Sequence, residues 1–160
     1  MAKENYNILV VCTGNICRSP MAEGMLNKNL PERLAGKVMI SSAGTHALHG
    51  NMAQPHAIAV MQGFDIDIRG HRARQLSGSV VRSSDLILVM ERFHLRLVKV
   101  RSMLSPAKVR MLTAYEANGE PYDVPDPMGE PITAYEASAA IIHDCVKGVY
   151  AYLDTIIKAN

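Results

Sequence analysis

The run Ile8-Leu9-Val10-Val11 passes through Cys12-Thr13-Gly14-Asn15-Ile16-Cys17 into Arg18-Ser19-Pro20 and an apolar helical pattern, and this junction constrains the fold more than any other stretch. Its first four residues are apolar and mostly β-branched, which marks a short buried strand. Met21, Ala22, Met25 and Leu26 then recur at helical spacing, and the pattern ends near Leu30-Pro31, where proline disfavours continuation. Ser19 reads as the N-cap of this helix and Pro20 as its first residue. A strand that feeds a helix in this way begins a right-handed crossover onto a parallel sheet.

The alternation continues along the chain. Val38 to Ser42 reads as a second strand, Pro55 to Gln62 as a short helix closed by Gly63, and Asp85 to Met90 as a third strand. A helix from Glu91 to Leu104, a strand from Val109 to Leu112, a polar loop from Ala117 to Pro131 and a helix from Thr133 to Lys158 follow. In the last helix Ile142, Cys145, Val146, Val149, Leu153, Ile156 and Ile157 share one side, so Cys145 reads as core. Continuous apolar strands are those buried on both faces, so the fold class is α/β with an open, doubly wound parallel sheet. Ligands of such sheets bind beyond the carboxyl ends of the strands, where the Cys12 loop falls. With 160 residues, 48% of them hydrophobic, and no linker-like stretch, residues 1–160 are expected to form a single domain.

The loop after Val11 carries its own chemistry. Gly14 and Asn15 tolerate left-handed backbone angles, so consecutive amide N–H groups can converge on one concavity suited to an oxyanion. The positive end of the following helix adds to this and favours the thiolate of Cys12. Arg18 returns to the same concavity with a planar fork that can hold two oxygens of a phosphoryl group, a geometry that lysine lacks. Thr13, Gly14, Asn15, Ile16 and Cys17 supply the rest of the cradle.

A thiolate cannot protonate the oxygen that leaves a phosphate monoester, so an acid has to come from elsewhere. Asp123-Val124-Pro125-Asp126-Pro127 is stiffened by two prolines and offers two carboxyls, of which Asp126 is favoured. The net charge of +2 comes from interspersed residues, which suggests neither nucleic acid nor an anionic membrane as partner. Three cysteines without framework spacing and the opening Met1-Ala2-Lys3-Glu4-Asn5 point to a reduced, cytoplasmic location. No run approaches the roughly 20 apolar residues of a bilayer span. His46, His49 and His56 lack a carboxylate or cysteine at metal-ligand spacing, so neither metal nor cofactor is expected.

Val11 to Pro20 resembles the signature loop of the low-molecular-weight protein tyrosine phosphatases, and of their bacterial members in particular. Further family-like stretches follow in the family's order at Ser42-Ala43-Gly44-Thr45, His71-Arg72-Ala73-Arg74-Gln75-Leu76 and Val124-Pro125-Asp126-Pro127. The resemblance implies a single-domain, open four-stranded parallel sheet with helices on both faces, the phosphotyrosine protein phosphatase I-like fold. It implies that Cys12 forms a phosphocysteine intermediate, that Arg18 clamps the phosphate, and that Asp126 protonates the leaving group and then activates water. Ser19 would support the Cys12 thiolate, while Asn15, Ser42 and His71 would brace the loop. The resemblance also implies a reversible disulfide between Cys12 and Cys17, and a phosphotyrosine protein as partner, such as a bacterial tyrosine autokinase of exopolysaccharide export.

One departure concerns the outer pocket. Family members usually carry an aromatic residue just after the Asp-Pro pair, where this chain has Met128-Gly129, so Met128 and Leu48 are expected to form the apolar walls. Rival readings on the same fold are an arsenate reductase, for which the shuttle cysteines are missing, and an arginine phosphatase, which typically places threonine where this chain has Ile16. A non-catalytic redox or phosphate-sensing module would have no use for Asp126.

Overall fold

A computed structural model of the protein describes residues 5–157. Strands β1 (Tyr6–Cys12), β2 (Val38–Gly44), β3 (Leu86–Val89) and β4 (Lys108–Met111) form one sheet in the order β2-β1-β3-β4. Every pairing is parallel. Five helices connect or flank the strands: α1 (Arg18–Lys28), α2 (Pro55–Gln62), α3 (Gly78–Arg82), α4 (Arg92–Arg101) and α5 (Ile132–Ile156). Single 3-10 turns lie at Glu32–Leu34 and Leu112–Tyr115.

The alternation of β1 side chains divides the core. Ile8, Val10 and Cys12 pack with Met21 and Met25 of α1 and with Ile142, Cys145 and Val149 of α5. Leu9 and Val11 face the other way, onto Val81 of α3, Val98 of α4 and Val109 of β4. Each face of the sheet is therefore covered by helices, and burial on both sides accounts for the continuous apolar runs in β1 and β3. From β1 the chain crosses to β2 on one side, then to β3 on the other. The two crossovers diverge and leave a crevice beyond the carboxyl ends of β1 and β3, where Val11 pairs with Val89.

The open, four-stranded, doubly wound sheet agrees with the expectation, and several local readings change. Ser19 is not the N-cap of α1: the helix begins at Arg18 with Cys17 at the cap position and no capping side chain. Ser19 therefore keeps its hydroxyl for other partners, and Pro20 sits in the first turn, where its missing N–H is harmless. β2 runs two residues beyond Ser42, to Gly44. Helix α4 stops at Arg101, short of the expected Leu104, whose side chain is fully exposed. The short helix α3 has no counterpart in the sequence reading, although Ser77 caps it by accepting from the Val80 N–H. In α5 the core side includes Tyr135 and Tyr150, whereas Ile156 is exposed. The expected α5 end at Lys158 and residues Met1 to Glu4 lie outside the described residues.

Candidate active site

Residues 13–17 leave β1 and wrap over its end, held down by backbone bonds to the segment after β2. Thr45 N–H donates to the Cys12 carbonyl at 3.0 Å, His46 N–H to Thr13 at 2.9 Å and Leu48 N–H to Gly14 at 3.2 Å. This approach requires a glycine at 44, because a Cβ there would lie 2.5 Å from the Thr13 carbonyl oxygen and 3.0 Å from the Asn15 nitrogen. The resulting cavity, of about 210 Å³, is lined by Cys12, Thr13, Gly14, Ile16, Cys17, Arg18, His46, Leu48, Asp126 and Met128.

Asn15 is not part of that lining; it braces the loop from behind. It adopts φ 59, in the left-handed region, and is fully buried. Its Nδ2 donates to Ser19 Oγ at 2.7 Å and to Ser42 Oγ at 2.9 Å, while its Oδ1 accepts from the Arg74 N–H at 2.9 Å. Its carbonyl accepts from His71 Nε2 at 2.6 Å, which places the ring proton on that nitrogen. Ser19, Ser42 and His71 thus converge on one residue. Arg74, which the sequence reading left without a role, completes the brace by donating to the Ser42 carbonyl at 2.8 Å and to Ser41 Oγ at 2.9 Å.

Ser19 Oγ also lies 3.0 Å from Cys12 Sγ. Since the oxygen already accepts from Asn15, its own hydrogen is available to the sulfur. Cys12 is almost fully buried at the cavity floor. Cys17 faces Tyr135 Oη at 3.6 Å and Met128 Sδ at 3.9 Å, and burial pushes its thiol up to about 11, so it stays protonated at neutral pH. Cys145 lies within the α5 core, donates to the Ile141 carbonyl and is not among the cavity-lining residues.

The Arg18 guanidinium is held at one corner. Nη1 donates to Glu91 Oε2 at 2.9 Å and to the Val124 carbonyl at 2.7 Å. Nη2 stands 3.6 Å from Asp126 Oδ2, and among the described residues Nε is buried without a hydrogen-bond partner. Arg33 and Arg69 show what such an Nε/Nη2 edge does when it meets an anion: each grips both oxygens of a carboxylate, of Asp154 and Asp67 respectively. In Arg18 the same edge is uncommitted at Nε and only loosely engaged at Nη2, and an acceptor with two oxygens satisfies it.

The two aspartates of the proline loop part company. Asp123 Oδ1 accepts from the Arg92 N–H at 2.8 Å, where α4 begins. Asp126 remains half-exposed at the cavity rim, its Oδ1 accepting from the Met128 N–H at 3.1 Å. Ser138 donates to the Pro125 carbonyl and Val124 N–H to Met90, so the loop that carries Asp126 is fixed to both α5 and the end of β3.

His46 lines the cavity, with its Nδ1 3.0 Å from Thr45 Oγ1 and its ring stacked on Phe93 at 6.2 Å. His56 packs edge-on to Tyr135. Leu48 and Met128 lie on the cavity wall as expected, both partly exposed. Glu91 and His94 were missed by the sequence reading. His94 is buried, with Nδ1 accepting from the Glu91 N–H at 3.1 Å and Nε2 2.8 Å from Thr13 Oγ1. Burial, reinforced by the nearby Arg18 cation, lowers its pKa to about 4 and keeps the ring neutral. The spacing of Glu91 and His94, three residues apart at a helix start, was the available signal, since it makes a reciprocal capping box.

Arranged in this way, the cavity offers a sulfur nucleophile, a guanidinium edge for an oxyanion and a carboxyl at the mouth. Comparison with known proteins agrees. The family model described as low molecular weight phosphotyrosine protein phosphatase matches residues 7–158. The probable low molecular weight protein-tyrosine-phosphatase EpsP of Ralstonia nicotianae is 41% identical over 149 residues, which cover 93% of this chain and 94% of that protein. Among solved structures, the YwlE arginine phosphatase from Geobacillus stearothermophilus aligns with a TM-score of 0.83 at 34% identity, covering 94% of both chains. The tyrosine phosphatase AmsI of Erwinia amylovora aligns with a TM-score of 0.79 at 35% identity, covering 92% of this chain and 93% of that one.

Proposed function

The chain belongs to the low molecular weight phosphotyrosine protein phosphatases, and from that premise we propose that it hydrolyses phosphotyrosine with Cys12 as nucleophile, Arg18 as phosphate clamp and Asp126 as general acid and base. The observation that carries this reading is that Cys12, Asp126 and an Arg18 whose Nε has no partner among the described residues line one cavity.

In the first step the Cys12 thiolate attacks phosphorus in line with the tyrosyl oxygen. The S–P bond forms as the P–O bond breaks, and Asp126 gives its proton to the departing phenolate. Arg18 and the loop amides hold the equatorial oxygens while charge is redistributed over them. In the second step Asp126 takes a proton from water, the oxygen attacks phosphorus, the S–P bond breaks and orthophosphate leaves. Ser19, as a donor to the sulfur, stabilises the thiolate before attack and again as it departs. The brace centred on Asn15 keeps the loop in the shape the amides require.

The test is hydrolysis of phosphotyrosine by the wild type, Cys12→Ser and Asp126→Ala. Cys12→Ser should lose measurable turnover, and Asp126→Ala should lose about 10²-fold or more in kcat, a loss that shrinks for aryl phosphates with more acidic leaving groups. Full activity in Cys12→Ser overturns the mechanism, and an unchanged kcat in Asp126→Ala overturns the acid assignment. The protein substrate assigned here is the phosphotyrosine tail of a bacterial tyrosine autokinase of exopolysaccharide export, a reading that rests on the resemblance to bacterial members. Failure to dephosphorylate such a tail, with small aryl phosphates still turned over, would remove it.

A second reading is favoured by the alignment with the YwlE arginine phosphatase. Ile16, an apolar residue of the cavity lining, supports the aromatic substrate instead, because it gives a protonated guanidinium no polar partner. A kcat/KM for phosphoarginine above that for phosphotyrosine would reverse the order of the two readings.

A further inference from the structure

Thr13 occupies a position in the phosphate loop that the mechanism above uses only for its backbone. Its hydroxyl is nevertheless tied to a buried histidine 81 residues away, at 2.8 Å. The direction of that bond follows from the other side of the ring. His94 Nδ1 accepts from the Glu91 backbone N–H and so carries no proton, which leaves the single ring hydrogen of the neutral imidazole on Nε2. Nε2–H therefore donates, and Thr13 Oγ1 accepts.

The reverse arrangement is closed off. A proton on Nδ1 would face the Glu91 N–H, donor against donor, and the ring is held neutral by its burial and by the Arg18 cation. Glu91 Oε2, 3.7 Å from Nε2, sits on the same side and is itself bonded to Arg18 Nη1. Thr13 therefore cannot donate to His94. Among the described residues no acceptor is bonded to its hydroxyl hydrogen, and Thr13 lines the cavity together with Cys12, Arg18 and Asp126.

We propose that the Thr13 hydroxyl is an additional hydrogen-bond donor to the phosphoryl group, held in that sense by His94, which acts as a positioning residue. The inference rests on the phosphatase reading of the site and deepens it. Non-bridging phosphoryl oxygens accept only, so a hydroxyl whose oxygen already accepts from His94 and whose hydrogen is directed away from that ring is matched to them. A hydroxyl donor fixed before substrate arrives also costs little reorganisation in the transition state. The Glu91–His94 capping box then has two duties: it starts α4, and it sets the tautomer that turns Thr13 outward.

The test compares the wild type, Thr13→Val, Thr13→Ser, His94→Asn and the Thr13→Val/His94→Asn double variant, each checked for an intact fold by circular dichroism. Asparagine at 94 retains an acceptor at the Nδ1 position for the Glu91 N–H but does not reach Thr13. Two quantities are read: kcat/KM for an aryl phosphate, and the dissociation constant of orthophosphate by calorimetry. Thr13→Val is expected to lower kcat/KM and weaken orthophosphate binding, each by about tenfold, and Thr13→Ser to recover most of both. His94→Asn should lower both severalfold, and the double variant should be no worse than Thr13→Val. Wild-type values in Thr13→Val overturn the donor, and additive losses in the double variant overturn the positioning role of His94. Absence of turnover in the wild type would instead defeat the phosphatase reading, while the orthophosphate measurement would still decide the role of Thr13.

Discussion

Asn15 concentrates more of the site's geometry than any other residue: its side chain donates twice and accepts once, its backbone carbonyl accepts from His71, and its backbone is left-handed. Replacing it with alanine strands the Ser19 and Ser42 hydroxyls and the Arg74 N–H, and adds the strain of a positive φ, for a loss of about 2–3 kcal/mol. Asn15→Ala should therefore fall at least tenfold in kcat/KM and melt at lower temperature. Asn15→Gly should restore part of the melting temperature but not the activity, because glycine supplies the backbone angle without the bonds. Equal recovery of both would mean that the side chain serves conformation alone. At this scale the sequence was legible where chemistry requires a residue type next to a local signal. Cys12 ends a strand, Arg18 opens the helix that Pro20 marks, and Asp126 lies between two prolines. The spacing of Glu91 and His94 marks a helix start, but the contacts of Glu91 with Arg18, of His94 with Thr13 and of Arg74 with Asn15 come from which strands are neighbours, and the sequence does not express that.

Among the elements, α5 is the longest, and together with α1 it closes the core over one face of β1. Its Gly148 lies so close to the Leu112–Tyr115 turn that a Cβ would stand 1.8 Å from the Tyr115 carbonyl oxygen. No rotamer relieves a clash with backbone, so α5 or the turn has to shift. Gly148→Ala is expected to destabilise by about 1–3 kcal/mol despite alanine's higher helix propensity, lowering Tm by about 2–4 °C per kcal/mol. A raised Tm would show that the helix adjusts freely. Long periodic elements such as α5 were readable from the 3.6-residue pattern, and β1 and β3 from their unbroken apolar runs. The five-residue α3 was not, being too short to show a period, and Ser19 was misassigned because a serine before proline fits a cap equally well.

For the whole molecule, His94 sets an acid limit. Its folded pKa, about 4, is below the ordinary histidine value of 6.5, so the unfolded chain binds the proton first as pH falls. Stability is thus complete above about pH 6.5 and is lost progressively towards pH 4, by an amount on the order of 3 kcal/mol. Melting curves from pH 7 to 4.5 should show this decline, and His94→Asn should flatten it; an unchanged slope would assign the decline to other groups. The sheet order has a further consequence, for the timing of activity. β1 comes early in the chain but lies between β2 and β3 in the sheet, and Arg18 is fixed by Glu91 and by the Val124 carbonyl, 106 residues downstream. Such distant closures form late in folding. A growing polypeptide thus exposes its thiol and arginine long before they share a cradle, and the nascent chain stays catalytically silent until synthesis has passed the proline loop.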